Sequence, residues 1–305
     1  MYPAGGGVIL FGGAILFLEL RFRYRTYEKI LKWLAFSIFS CVGVALVVRS
    51  ELLDAVKAAV KPSLGFTTAS LVAITAIFGT TISPYLFFWQ NAEEVEEERE
   101  QNAAETTREN QKYRGISEMR ADVASGMGAG VLVAMCIIYA AGASLNKSGV
   151  TDIATATQAA EALRPIAGNF SSLLFALGII GTGLLAVPVL AGSSAYALAD
   201  ALGWEEGLSR PVHEAPAFYG IIVAGVVGGV AMNLLGLPAV KALYWSAVAN
   251  GFAAPPLMLL INLLASSKDL MGDKVSGGLS KLWLWLGTGI MFAAGLASGI
   301  FSLSD

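Results

Sequence analysis

The segment Gly79-Thr80-Thr81-Ile82-Ser83-Pro84-Tyr85 places a glycine, three hydroxyl side chains and a proline inside an apolar run from Phe66 to Phe88. Proline has no N–H to give to the carbonyl four residues back, so a helix through Pro84 leaves the Thr80 carbonyl without its intrahelical partner. Hydrocarbon cannot hydrogen-bond the freed groups, and such a break is tolerated only where protein, water or a bound solute meets them. The chemistry on offer is that of clustered neutral oxygens shielded from bulk water. Other uncharged polar residues near the middle of apolar runs are Gln90, Thr182, Asn233 and Asn250. Asn250-Gly251 precedes Pro255-Pro256, so that run is also expected to be irregular near its centre. Two interrupted, mildly polar helices in one bundle point to a solute site. The competing reading is a pair of kinks whose backbone groups are satisfied by neighbouring helices.

Charged chemistry is nearly absent from the apolar runs. Glu19 and Asp200 fall at helix ends and Asp122 at a helix start, where each is expected to face water. The single histidine, His213, lies in a polar connector, which excludes a histidine dyad or a multi-histidine metal cluster. Cys41 and Cys136 sit inside apolar runs without a CxxC or Cys/His pattern and read as packing residues. No nucleophile–base pair or phosphate-binding loop is present, so an enzyme is not expected. Neither a bound cofactor nor a nucleic acid partner is expected.

The elements that must position these residues are membrane spans. Of the 305 residues, 55% are hydrophobic and 14% charged, and the mean hydropathy is +0.65, far from the balance of a soluble domain. The expected partner is a lipid bilayer. Eight apolar runs approach or reach the about 17–25 residues that a helix needs to cross it: Gly5–Leu20, Ile30–Val48, Phe66–Phe88, Val123–Leu145, Phe170–Leu202, Phe218–Leu235, Val240–Leu264 and Leu282–Leu303. Putting alternate connectors on one side collects fourteen of the 20 lysines and arginines there, and that side is expected to be cytoplasmic. Both termini then lie outside. The short first run lacks a charged leader and a cleavage site, and suggests that upstream helices are missing. Membrane-impermeant thiol reagents added to intact cells should therefore not reach a cysteine placed at Asn102 or Gly272; efficient labelling would reverse the orientation.

The connector Asn91–Arg120 carries Glu93, Glu94, Glu96, Glu97, Glu98, Glu100, Glu105 and Glu109 with Arg99, Arg108 and Lys112. It reads as a solvated helical extension of the preceding span; the functional alternative is a cation-attracting vestibule. Asp54–Ser63 reads as a short interfacial helix. The pairs Gly126/Gly130, Gly225/Gly229 and Gly295/Gly299 have the spacing that lets membrane helices approach closely.

Taken in order, several segments resemble the natural-resistance-associated macrophage protein (Nramp) family of divalent metal transporters. Ile77–Gln90 with its acidic continuation resembles that family's sixth helix, where a Met-Pro-His triplet interrupts the helix. Gly181-Thr182-Gly183 through Leu190-Ala191-Gly192 and Tyr196 resembles the eighth helix, Tyr244–Leu260 the tenth, and Arg23-Tyr24-Arg25 the link between the fourth and fifth. The resemblance implies an all-α, polytopic membrane helix bundle of the LeuT type, built on an inverted repeat. On this alignment the eight runs are helices four to eleven, so the bundle is expected to lack its first three helices.

The resemblance also implies a substrate, a divalent metal ion carried by alternating access, and a site. The family's metal-contacting methionine aligns with Ser83, the following histidine with Tyr85, a second histidine with Gln90, and a metal-binding backbone carbonyl with Thr80. Asn250 is the polar neighbour expected from the tenth helix. A hydroxyl in place of a thioether favours harder cations such as magnesium or calcium, and the chain is similar to the branch without the methionine. With neither histidine kept, the resemblance does not extend to proton coupling. The family's first helix supplies an aspartate and an asparagine, and no Asp-Pro-Gly-Asn-like motif occurs here. Thr80, Ser83 and Asn250 are neutral, leaving the several kcal/mol of desolvating a dication without offset. Residues 1–305 by themselves are therefore expected to insert and fold without transporting a dication. The alternative role is a membrane scaffold or receptor-like protein that keeps the fold without transport. Residence in the plasma (inner) membrane is expected.

Overall fold

A backbone passing through hydrocarbon must meet its own polar groups, and helices do so within one segment. The computed structural model describes residues 4–21, 40–47, 57, 67–104, 116–142 and 156–304. Their regular elements are α1 (Ala4–Arg21), α2 (Ser40–Val47), α3 (Thr68–Thr81), α4 (Pro84–Ala104), α5 (Ile116–Ala141), α6 (Ala156–Leu202), α7 (Pro216–Leu234), α8 (Ala239–Ser266), α9 (Lys268–Met271), a 3₁₀ turn (Gly272–Lys274) and α10 (Gly278–Ser304). Six stretches among these residues are long and apolar enough to span a bilayer, the first being Thr68–Glu96 across the α3–α4 break. Large apolar side chains point outward along the helices, Leu10 at 76% exposure and Leu243 at 68% among them. Such a surface is stable in lipid, and the chain is an integral, multi-pass membrane protein.

The described residues form two compact units, one of residues 1–60 and 88–240 and the other of residues 61–87 and 241–305. In the first, α7 packs on α6 and α1, and α2 packs on α5 and α6. Its core holds Ile15, Ala195, Tyr196, Phe218, Ile222 and Val226. Tyr196, Phe218 and Tyr219 stack edge to face, with centroids 4.8 and 5.4 Å apart, a favoured arrangement for aromatic quadrupoles. In the second unit α3 packs on α10, and Ala254, Met258 and Met291 form a core against Phe78, Ile82 and Leu284.

Four expectations require correction. The run around Asn250 is not irregular, because α8 continues unbroken through Gly251 and both Pro255 and Pro256. Two prolines remove two backbone bonds, yet Pro255 is buried and flanking packing holds the helix straight enough to continue. The interruption near Pro84, expected to be non-helical or strongly kinked from about Gly79 to Pro84, is narrower: α3 runs to Thr81 and α4 restarts at Pro84. Glu19, expected to face water, is only 6% exposed. Finally, an added Cβ at Gly126, Gly130 or Gly229 would meet no described atom within 4 Å and at Gly225, Gly295 or Gly299 only a side chain at ordinary contact distance, whereas at Gly79 and Gly251 it would strike backbone. The close approach is made by isolated glycines at a helix crossing, which a four-residue spacing does not reveal.

The first half of Ile30–Val48 and nearly all of Asp54–Ser63 lie outside the described residues, as do 105–115 of the acidic connector. Gly272 has φ +53°, so a cysteine there would be strained and Asn102 is the better labelling position.

Candidate functional site

α3 starts with Thr67, whose side chain accepts from the Ser70 N–H at 3.3 Å, an N-cap that fixes the helix entry. It ends where Pro84 cannot supply the next backbone donor. Ile82 leaves helical geometry at φ −116° and ψ 74°, and α4 begins with Pro84 at its first position, where the missing N–H costs nothing.

Ser83 bridges the break. Its side chain is 1% exposed, and its hydroxyl donates toward the Gly79 carbonyl at 2.8 Å and the Thr80 carbonyl at 3.0 Å. The Thr80 carbonyl is thus not free, as the sequence suggests; the serine takes the place of the donor that proline lacks. One proton is shared between two carbonyls, however, and a carbonyl has two lone pairs. The Gly79 and Thr80 carbonyls and the Ser83 oxygen therefore form a cluster with spare acceptor capacity at the negative end of α3's dipole. That arrangement suits a cation. The Gly79 carbonyl is not among the residues that the sequence singles out, although a serine four residues after a glycine and next to a proline is the signal for it. The hydroxyls of Thr80 and Thr81 both fold back on the Ile77 carbonyl, at 2.9 and 2.8 Å, so what Thr80 shares with Ser83 is its backbone oxygen.

α3 and α8 cross backbone to backbone beside this cluster. A Cβ on Gly79 would lie 2.1 Å from the Ala247 carbonyl oxygen, and one on Gly251 would lie 2.3 Å from that of Thr75. Thr75 in turn donates to the Leu71 and Ala294 carbonyls, at 3.0 and 3.2 Å, tying α3 to α10. Asn250 is half-buried next to Gly251, but no hydrogen bond joins it to Thr80 or Ser83 among the described residues. A third asparagine escaped notice: Asn262 is 1% exposed, and neither of its amide atoms has a hydrogen-bond partner among the described residues. Its spacing of four from Met258 and eight from Ala254 places it on the buried face of α8. Gln90 is exposed and donates to Glu94 at 3.1 Å, while Thr182 and Asn233 are exposed.

In the other unit, Glu96 departs from the solvated face expected of the acidic run. Its Oε1 accepts from the Tyr196 hydroxyl and from the Leu208 N–H at 3.0 Å, and its Oε2 accepts from the Ser209 N–H at 3.1 Å. The approach needs Gly207, which has φ +134° and whose Cβ would sit 2.9 Å from Oε1. Tyr219 completes the tie by donating to the Arg210 carbonyl at 2.9 Å. A cavity of about 230 Å³ beside this node is lined by Asn91, Glu96, Tyr196, Asp200 and Glu206. No group of three or more His, Cys, Asp or Glu side chains is gathered tightly enough for a metal among the described residues. His213 is exposed in its connector, and Cys136 is a free thiol.

Among the described residues the structure is an all-helical membrane bundle with a span broken around clustered oxygens, the discontinuous-helix architecture also seen in transporter folds. Residues 2–300 match the family model described as natural resistance-associated macrophage protein-like. The chain belongs to the Nramp family and has its LeuT-type fold. It is 26% identical over 223 residues to the divalent metal cation transporter MntH of Clostridium acetobutylicum, covering 72% of this chain and 47% of that protein. It is 26% identical over 241 residues to the divalent metal cation transporter MntH of Deinococcus radiodurans, covering 77% and 51%. The chain spans about half the length of the curated relatives it matches.

Proposed function

We propose that this protein takes part in divalent metal cation transport across the plasma (inner) membrane, with the metal ion as substrate and the break at Ile82-Ser83 as the place where the ion is held. Family membership and the names of both relatives support this over a non-transporting scaffold. The observation that carries the location is the Ser83 hydroxyl shared between two carbonyls at a helix end. Thr80 and Ser83 supply hard, neutral oxygens, and Asn250 is the third candidate, one residue from the α3–α8 crossing. With no sulfur ligand, magnesium and calcium are accepted beside manganese. The charge balance a dication needs is not among these three residues, so affinity at this cluster alone is weak.

Thr80 offers a direct test because its side chain is exposed while its carbonyl carries the proposed contact. In a Thr80→Cys variant with Cys41 and Cys136 replaced, Mn²⁺ at millimolar concentration should slow alkylation of the thiol by maleimide. The protection should disappear when Ser83→Ala is added. Equal alkylation with and without metal in the Ser83 background would remove the cation from the break.

A further inference from the structure

We propose that the α8–α10 connector is a lid poised to open over Asn262, with the unmet side-chain amide of that residue supplying the bias. Asn262 is 1% exposed, and neither its oxygen nor its nitrogen has a hydrogen-bond partner among the described residues. Because both atoms are unmet, turning the amide over relieves nothing. Native structures rarely leave a buried polar group in this state without a reason, and the closed form gives up the hydrogen bonds that water would make to it. Any movement that lets water reach Asn262 recovers them.

The fold has a place for that movement. Asn262 lies one turn before the end of α8 at Ser266. Past that end the chain runs through α9, turns at Gly272 with φ +53°, and comes back so that the Ser276 N–H meets the Ala265 carbonyl at 3.1 Å. Ala265 is three positions beyond Asn262, on the same side of the helix. Among the described residues this one backbone bond ties the returning arm to α8, and a tie of that kind belongs to the low-stability end of a fold. From the lid the way leads inward along α8, where Gly251, Ala254, Met258 and Asn262 are buried at intervals of three or four. Met258 packs with Met291 against Ile82, the residue at the break, and methionine is an adaptable, easily displaced core side chain. A lifted lid would therefore bring water to the side of Met258 that faces away from the break. The lid's importance for transport rests on the ion-binding reading above; its opening does not, and is tested without metal.

Leucine has the same side-chain branching and the same number of heavy atoms as asparagine, so Asn262→Leu removes the unmet amide and little else. The purified full chain carrying it should unfold about 2–5 °C above wild type, and its Ser276 amide should exchange about tenfold more slowly. Oxidation of the buried Met258 by hydrogen peroxide, followed by mass spectrometry, should slow in parallel, since both need the same opening. Asn262→Val, one heavy atom smaller, repeats the comparison should leucine not fit. Thr288→Val is the contrast: Thr288 is 2% exposed but donates to the Leu284 carbonyl at 2.7 Å, so Tm should fall. A Tm at or below wild type in both Asn262 variants would mean that the amide is met in the closed form, as by a bound water, and would overturn the proposal. So would a raised Tm with unchanged Ser276 exchange, which would make Asn262 a packing fault with no lid above it, or an equal rise in Thr288→Val.

Discussion

Gly79→Ala is expected to be the most damaging single-methyl change in the second unit. The new Cβ would fall 2.1 Å from the Ala247 carbonyl oxygen and 2.3 Å from the Gly251 nitrogen, well inside any tolerated contact. Both obstacles are backbone, so no side chain can rotate away, and α3 and α8 must separate. Overpacking typically costs about 1–3 kcal/mol and more where backbone meets backbone, against the gain of at most about 1 kcal/mol that alanine brings in helix propensity. Detergent-solubilised Gly79→Ala should unfold at least several degrees below wild type. Gly126→Ala, whose new Cβ meets no described atom within 4 Å, should be neutral or slightly stabilising. Equal stability of the two variants would show that the helices do not cross at this glycine.

Glu96→Ala carries the second large effect. It deprives the Tyr196 hydroxyl and the Ser209 N–H of their acceptor and leaves the Leu208 N–H with the Tyr196 oxygen alone, and a part-buried donor left unmet costs about 1–3 kcal/mol. These losses meet at one node and do not add fully, which leaves about 2–4 kcal/mol in total. Hydrogen exchange at Leu208 and Ser209 should accelerate before the rest of the unit does, because a local tie is being cut. Glu96→Gln keeps one carbonyl acceptor and should fall between. Unchanged exchange at these amides in Glu96→Ala would return Glu96 to the ordinary solvated face that its neighbours in the acidic run suggest.

The membrane class was readable from the hydropathy of the runs, and the location of the break from Pro84, since both rest on local rules that hold whatever the tertiary packing. Pro255 and Pro256 obey the same rule but give no break, because proline removes a bond without dictating how the helix responds. Ser83 was visible as a polar residue beside a proline; that its proton would bridge back to Gly79 and Thr80 depends on the backbone angle at Ile82, which composition does not set. Glu96 stands among eight other glutamates of the connector, and only the fold of a loop more than a hundred residues later distinguishes it. Glu19 and Asn262 escaped for a related reason. A single polar residue near a helix end or in an apolar stripe reads as exposed or incidental until its surroundings are known.

The central claim is that a divalent cation is held at the Ile82-Ser83 break with the Ser83 oxygen as a ligand. The most direct measurement is the binding of Mn²⁺ to the purified chain, read by its electron paramagnetic resonance signal and by competition with Mg²⁺, for wild type, Ser83→Ala and Ser83→Met. Loss of one neutral ligand should weaken Mn²⁺ binding in Ser83→Ala by about five- to tenfold. The thioether in Ser83→Met should instead raise the Mn²⁺ preference over Mg²⁺ relative to wild type. The same Mn²⁺ affinity and the same Mg²⁺ competition in all three proteins would contradict the assignment.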